Sequence, residues 1–303
     1  MSTKHNYTMQ GANDPADQVS TDAWNENHTI DDEVIVPAAN KINLFAKKIA
    51  GFLFPSYVMP TGHTSALELS KLDWRIGFYT STSSNGVLQV GLSMLTAGTA
   101  TAAVISTASK HQSMIRTDYL VTVAAATAVA GARSSVATLL RGNAANIGGF
   151  IVNWKWAPAT GVSTATMRAF FGMTASVAAL TDVQPSSLLN MIGCGWDSAD
   201  TNIQIMSNDG SGAATKIDLG ASFPVPTTDR PGPYGITLSC VPNASTVEYE
   251  FIDYASGLKA NGSIIVDLPA NTTALAPSGY CSVGGTSSVV GFTLFDLVQY
   301  NKY

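Results

Sequence analysis

The sequence is short of charge. Only 12% of its 303 residues are Asp, Glu, Lys or Arg, about half the ~25% usual in soluble domains. Its 16 basic residues are scattered along a chain of formal net charge −5, which excludes a phosphate-tracking surface, so no nucleic-acid partner is expected. Cysteine is scarce too. Cys194, Cys240 and Cys281 form no CxxC pair, which excludes a disulfide framework or zinc ribbon and leaves three reduced thiols. His5, His28, His63 and His111 form neither HxH nor HExxH, and both a G-x-S-x-G elbow and a P-loop are lacking, so no cofactor or metal is expected. Long apolar runs are missing as well. Residues 87–105 are broken by Gln89, Ser93 and Gly98, and the run 119–132 falls short of the roughly 20 residues of a membrane helix, so no membrane insertion is expected. The first seven residues are polar and show no secretory-signal pattern, so the sequons at Asn6, Asn27, Asn243, Asn261 and Asn271 carry no weight.

What is present is apolar, hydroxyl and amide chemistry. Residues of hydrophobic type make up 46% of the chain, which excludes disorder for most of it. Low charge then has two simple origins: a surface covered by copies of the same chain, or one rich in neutral Ser, Thr, Asn and Gly. Both point to assembly more than to catalysis.

Three regions separate by composition. Residues 1–36 are polar, carry the cluster Asp31-Asp32-Glu33 and lack a hydrophobic period; they read as an extended arm that docks on a partner. Residues 37–60 contain a stretch bounded by Pro37 and Pro55, and its pattern predicts one short amphipathic helix. Ile42, Phe45, Ile49 and Phe52 match a two-heptad a/d seam that would pack on the body or between subunits. Residues 61–303 read as β. Phe150, Val152, Trp154 and Trp156 alternate with Asn153 and Lys155, and Val247, Tyr249 and Phe251 alternate with Glu248 and Glu250. Phe292, Leu294, Asp296 and Val298 oppose Thr293, Phe295, Leu297 and Gln299. Tight-turn signals recur at Asn85-Gly86, Asn208-Asp209-Gly210, Ser256-Gly257, Asn261-Gly262 and Gly284-Gly285. Short alternating strands with frequent turns predict a mainly β chain built as an antiparallel β-sandwich or jelly roll. The alanine-rich run 124–132 is read as strand and bend, because Tyr119–Val123 precede it and Gly131 lies within it.

Candidate chemistry is thin. Asp197 and Asp200 lie in Gly195-Trp196-Asp197-Ser198-Ala199-Asp200, where Asp serves first as a turn former. Calcium ligation with Asn202 or Asp209, or a glycosidase carboxylate pair, are weaker alternatives. Trp154 and Trp156 are assigned to the core or a subunit interface, whereas Trp196, just before a polar turn, is expected to be the exposed ring. Trp196, Asp197 and Asp200 are therefore the expected glycan or surface contacts.

Two stretches look like something specific. The first is Asp17-Gln18-Val19-Ser20-Thr21-Asp22-Ala23-Trp24-Asn25-Glu26-Asn27-His28-Thr29-Ile30, continuing through Val36-Pro37 to Ala50-Gly51. The second begins at Arg168-Ala169-Phe170-Phe171-Gly172-Met173 and continues through 185–193, 200–208, 216–221 and 267–273. Together they resemble tail-fibre and related virion structural proteins of tailed bacteriophages. The resemblance implies a homotrimeric fibre or spike located on the virion. Its N-terminal part, with Trp24, Asn25 and His28, would join other virion proteins, and a lectin-like β-sandwich would face a glycan or protein of the host surface. It defines no catalytic residues. The expected function is a non-enzymatic receptor-binding component. The alternatives are a polysaccharide-degrading tail spike and a purely structural collar, head-fibre or baseplate decoration.

Overall fold

The computed structural model describes residues 43–49, 52–58, 64–66, 94–102, 106–107, 116–145, 147–159, 166–227 and 232–301. The arm 1–36, with Trp24, Asn25 and His28, lies outside them, as do Ile42 and all four histidines.

The expected helix is not formed. In its place stand two strands, β1 (Asn43–Ile49) and β2 (Phe52–Val58), followed by β3 (Thr64–Ala66), in a three-stranded antiparallel sheet. The register runs from Asn43 opposite Val58 to Ile49 opposite Phe52. Short apolar runs fit helix and strand patterns alike, and here aromatic residues on both sides of Gly51 favour the hairpin. Phe45 and Ile49 are then about 13 Å apart at the strand rise of roughly 3.3 Å per residue. Phe45, Ile49 and Phe52 therefore form no helical seam for subunits to share.

The remaining strands build the body. They are β4 (Met94–Ala97), β5 (Thr99–Ala102), β6 (Thr117–Ala125), β7 (Val129–Ser134), β8 (Phe150–Pro158), β9 (Arg168–Thr174) and β10 (Met191–Trp196). There follow β11 (Gln204–Asn208), β12 (Thr215–Asp218), β13 (Tyr234–Cys240), β14 (Val247–Asp253), β15 (Lys259–Ile264), β16 (Ala276–Ser282) and β17 (Ser288–Asn301). Sheet I has the order β12-β11-β10-β9-β16-β7-β4 and sheet II the order β15-β14-β13-β8-β17-β6-β5. Both are antiparallel throughout, and their inner faces share one core. The fold is thus an antiparallel β-sandwich, as the alternation predicts. Among the described residues no helix is long and apolar enough to cross a membrane.

Alternation decides which side chains fill the core. Phe150, Val152, Trp154 and Trp156 of β8 are fully buried, and Val247, Tyr249 and Phe251 of β14 point the same way. The Trp156 ring is the hub. It stacks on Phe171 at 4.0 Å between centroids, on Trp196 at 5.7 Å, and lies 5.1 Å from Tyr234. Phe171 meets Phe292 edge-on at 5.0 Å, and Phe292 stacks on Tyr119 at 5.1 Å. Trp154 and Trp156 are therefore core residues. Cys194, Cys240 and Cys281 are free and buried, and burial pushes all three thiols up, with Arg141 partly countering it at Cys240.

Strand β17 departs from the simple pattern. Leu294 pairs with Trp156, but Asp296 pairs with Lys155 and Leu297 with Trp154, so Phe295 is an extra residue in a bulge. The bulge reverses the parity of everything after it. Phe292, Leu294 and Leu297 enter the core, while Asp296 and Val298 turn outward, which corrects the face assigned to those two. A second correction concerns Asn261-Gly262, which lies inside β15 and forms no turn. The run 124–132 does form strand, turn and strand, from β6 into β7.

Candidate functional site

The two outward faces of the sandwich differ in kind. On sheet I, a second apolar cluster of Phe170, Met191, Met206 and Tyr280 points away from the core. Residues 175–190 pack over it through Leu180 and Leu188. Glycine makes the close approach possible. A Cβ on Gly131 would stand 2.2 Å from the Leu180 Cδ1, and one on Gly193 would stand 2.6 Å from the Phe170 ring. Polar groups then stitch the segment down. The Arg168 guanidinium donates to Asp182 at 2.7 Å and to Ser282 at 3.0 Å, Arg133 donates to the Val177 carbonyl, and the Tyr280 hydroxyl to that of Val183. This face is sealed by the chain's own cap.

The residues singled out in the sequence sit at one edge of that cap. Asp197 and Asp200 do lie in the turn between β10 and β11. The Asp200 carboxylate accepts the Asp197 N–H at 2.8 Å, and the Asp197 carboxylate accepts the Ser186 N–H at 3.0 Å. The Lys216 ammonium on edge strand β12 lies 2.6 Å from both carboxylates. Burial works to raise the Asp197 carboxyl, but Lys216 and Ser186 outweigh it and hold it below the ordinary value. Burial likewise opposes the Lys216 charge, and the two carboxylates outweigh it and raise that group. A glycosidase acid requires the opposite, a carboxyl raised enough to stay protonated. The triad is a clasp that ties β12 to the β10–β11 turn.

Trp196 is not the exposed ring. It is 2% exposed, donates its indole N–H to the Met167 carbonyl at 2.6 Å and stacks on Trp156, so no sugar can reach its face. It is the last inward residue of β10, continuing the row of Ile192 and Cys194, and that parity outweighs the polar turn following it. Among the described residues no group of three or more His, Cys, Asp or Glu could hold a metal ion.

The outward face of sheet II is polar and reaches solvent. In register across it stand Asn153 of β8, Thr237 of β13, Glu250 of β14 and Asn261 of β15, with Val298 of β17 beyond Asn153. The next row holds Asp296, Lys155, Gly235, Ile252 and Lys259. Asn153, Lys155, Glu250 and Asp296 are half-buried, and Lys259 and Asn261 are exposed. Gly235, Thr237 and Ser239, the small residues between these longer side chains, are themselves buried.

Tyr254, just past β14, lies over Gly235. Its N–H donates to the Pro233 carbonyl, and its ring rests where a side chain on Gly235 would be: a Cβ there would meet the ring at 2.9 Å and the hydroxyl at 3.1 Å. The Lys155 ammonium sits over the ring, 4.4 Å from its centroid, in cation–π contact. Burial, reinforced by the Glu250 and Asp296 carboxylates, pushes the Tyr254 phenol up to about 12. At neutral pH it therefore keeps its proton. Around it, Asn153 donates to Thr237 at 2.7 Å, Lys259 pairs with Glu250 at 3.4 Å, and Ser263 donates to Glu248 at 2.7 Å. Amide, hydroxyl and carboxylate groups held in place by mutual hydrogen bonds suit a ligand rich in hydroxyls.

None of these residues was singled out as a site in the sequence. Their signal was there, in the polar positions opposite Trp154, Trp156 and Phe251; Asp296 was hidden by the bulge, and Tyr254 by its place outside any strand.

The geometry defines an antiparallel β-sandwich with one outward face capped and the other polar. No protein-family model and no curated protein matches the chain. Among solved structures it is similar to lectin I-B4 from Griffonia simplicifolia in its metal-free form, at 12% identity and a TM-score of 0.47, over 69% of this chain and 93% of that one. It is similar to peanut lectin with a bound 9mer peptide at 9% identity and 0.44, over 74% and 97%. It is also similar to alginate lyase A1-II′ at 11% identity and 0.37, over 80% and 86%. These are likenesses of fold.

Proposed function

We propose that this chain is a non-enzymatic glycan-binding component, and that its ligand lies on the outward face of sheet II around Tyr254, Asn153, Thr237 and Glu250. One observation carries the reading: the cap seals sheet I, whereas the outward face of sheet II presents half-buried to exposed amide, hydroxyl and carboxylate groups, fixed by mutual hydrogen bonds around Tyr254. The wider role proposed is that of a bacteriophage tail-fibre or receptor-binding virion protein, homotrimeric, held to the particle by residues 1–36. Its support is the resemblance in residues 17–51 and 165–303 and the charge-poor composition. A trimer would multiply weak contacts into firm adsorption.

A degradative reading has the same surface to work with, since Tyr254, Lys155 and two carboxylates stand together. The raised Tyr254 phenol speaks against a tyrosine base, and Asp197 is held ionised where a general acid needs a proton. The test is incubation of the full chain with host surface polysaccharides. Retention of polysaccharide without new reducing or unsaturated ends is the expected result. Time-dependent release of such ends would replace binding with catalysis.

A further inference from the structure

Resting on that reading, we propose that the sheet II face selects uncharged sugars and rejects polyanionic ones such as polyuronates and sulfated glycans. The argument is a charge inventory. Among the described residues Glu248, Glu250 and Asp296 face outward there, against two ammonium groups, Lys155 and Lys259. Both cations are already engaged: Lys259 lies 3.4 Å from Glu250, and Lys155 sits over the Tyr254 ring with Asp296 as its neighbour in register. Among the described residues the one further carboxylate on this face, Asp118, accepts from Thr293 at 2.5 Å and has Arg116 at 3.9 Å.

A polymer carrying a carboxylate or sulfate on each residue needs cations that can turn to meet it. On this face it would meet acceptors instead, with like charges brought close in a half-buried setting. A neutral sugar has the complementary chemistry. Its vicinal hydroxyls donate to Glu250 and Asp296, and they accept from the amides of Asn153 and Asn261. Bonds to ionised acceptors are the stronger ones.

The test measures binding of the full chain to immobilised neutral polysaccharides (a glucan, a galactan, a mannan) and to a polyuronate and a sulfated galactan, each at low and high salt. Binding to at least one neutral polymer is expected, unchanged by salt. It should weaken about tenfold or more in Glu250→Gln, as loss of a charge-assisted hydrogen bond implies, and should weaken also in Asn261→Ala. That second variant removes only an exposed side chain, so it reports on contact even if the first is poorly folded. The polyanions should bind at least tenfold more weakly. Polyanion binding that salt abolishes, and that Lys155→Met or Lys259→Met removes, would overturn the selectivity while leaving glycan binding in place. Failure to bind any polymer, neutral or anionic, would remove the glycan reading itself and this inference with it.

Discussion

Replacing Trp156 by Ala should cost about 3–5 kcal/mol of stability, the range for emptying a large aromatic from a packed core. The residue is fully buried and touches Phe171, Trp196 and Tyr234, so its removal takes a shared neighbour from three rings. Those rings belong to both sheets: Phe171 and Trp196 to sheet I, Tyr234 and Trp156 itself to sheet II. Partial collapse could refill the space only by drawing the sheets together, which Trp154, hydrogen-bonded to the Gly172 carbonyl, resists. One feature softens the loss. The Trp156 indole N–H is buried and has the Cys194 sulfur, a weak acceptor, as its neighbour, so the substitution also removes a poorly satisfied donor. Urea denaturation checks the prediction; a midpoint within error of the unaltered chain would mean that the aromatic hub does not join the sheets.

Arg168→Met should cost about 3 kcal/mol, near the lower end for breaking a buried pair, because it strands the Asp182 carboxylate beside Ser282 and Gly284. The side chains of Arg168 and Asp182 are 9% and 10% exposed, so water cannot replace the lost partner cheaply. Burial works to raise the Asp182 carboxyl, and the Arg168, Ser282 and Gly284 donors outweigh it, leaving it below the ordinary 3.8. A carboxyl lowered by folding stabilises fully above its unfolded value, and that contribution disappears as pH falls through the folded one. The unaltered chain should therefore lose stability as pH drops below about 4, and Arg168→Met should show less of that loss. Limited proteolysis should cut the variant within residues 175–190, which Arg168 anchors. Glycan binding should persist, since the cap lies on sheet I and the proposed ligand on sheet II. Equal acid sensitivity in the two proteins would contradict the role given to this pair.

The sandwich was legible because period-two alternation sorts side chains between core and surface without knowledge of partners. Trp154 and Trp156 opposite Asn153 and Lys155 is enough to orient a strand. Residues 43–49 and 52–58 are strands where a helix is expected, for a related reason. Phe45, Ile49 and Phe52 fall at spacings a helix can use, and only pairing across Gly51, a non-local fact, chooses the hairpin. The bulge at Phe295 is a one-residue event visible only in register, yet it moves Asp296 from the row of Phe292 and Leu294 to the outward face of sheet II. Trp196 shows the limit of reading exposure from neighbours. The polar turn after it belongs to the rim, while the ring itself completes the inward row of β10. Asp197 and Asp200 were correctly placed in a turn, but their partner Lys216 is on another strand, and no spacing in the sequence announces it.

The most direct measurement is a crystal structure of the full chain with a neutral oligosaccharide released from a host polysaccharide that it retains. Density for sugar rings against Tyr254, Thr237, Glu250 and Asn153 on the outward face of sheet II is the predicted result. Sugar density at the Asp197–Asp200–Lys216 rim or against the 175–190 cap, with the surface around Tyr254 bare, would contradict it.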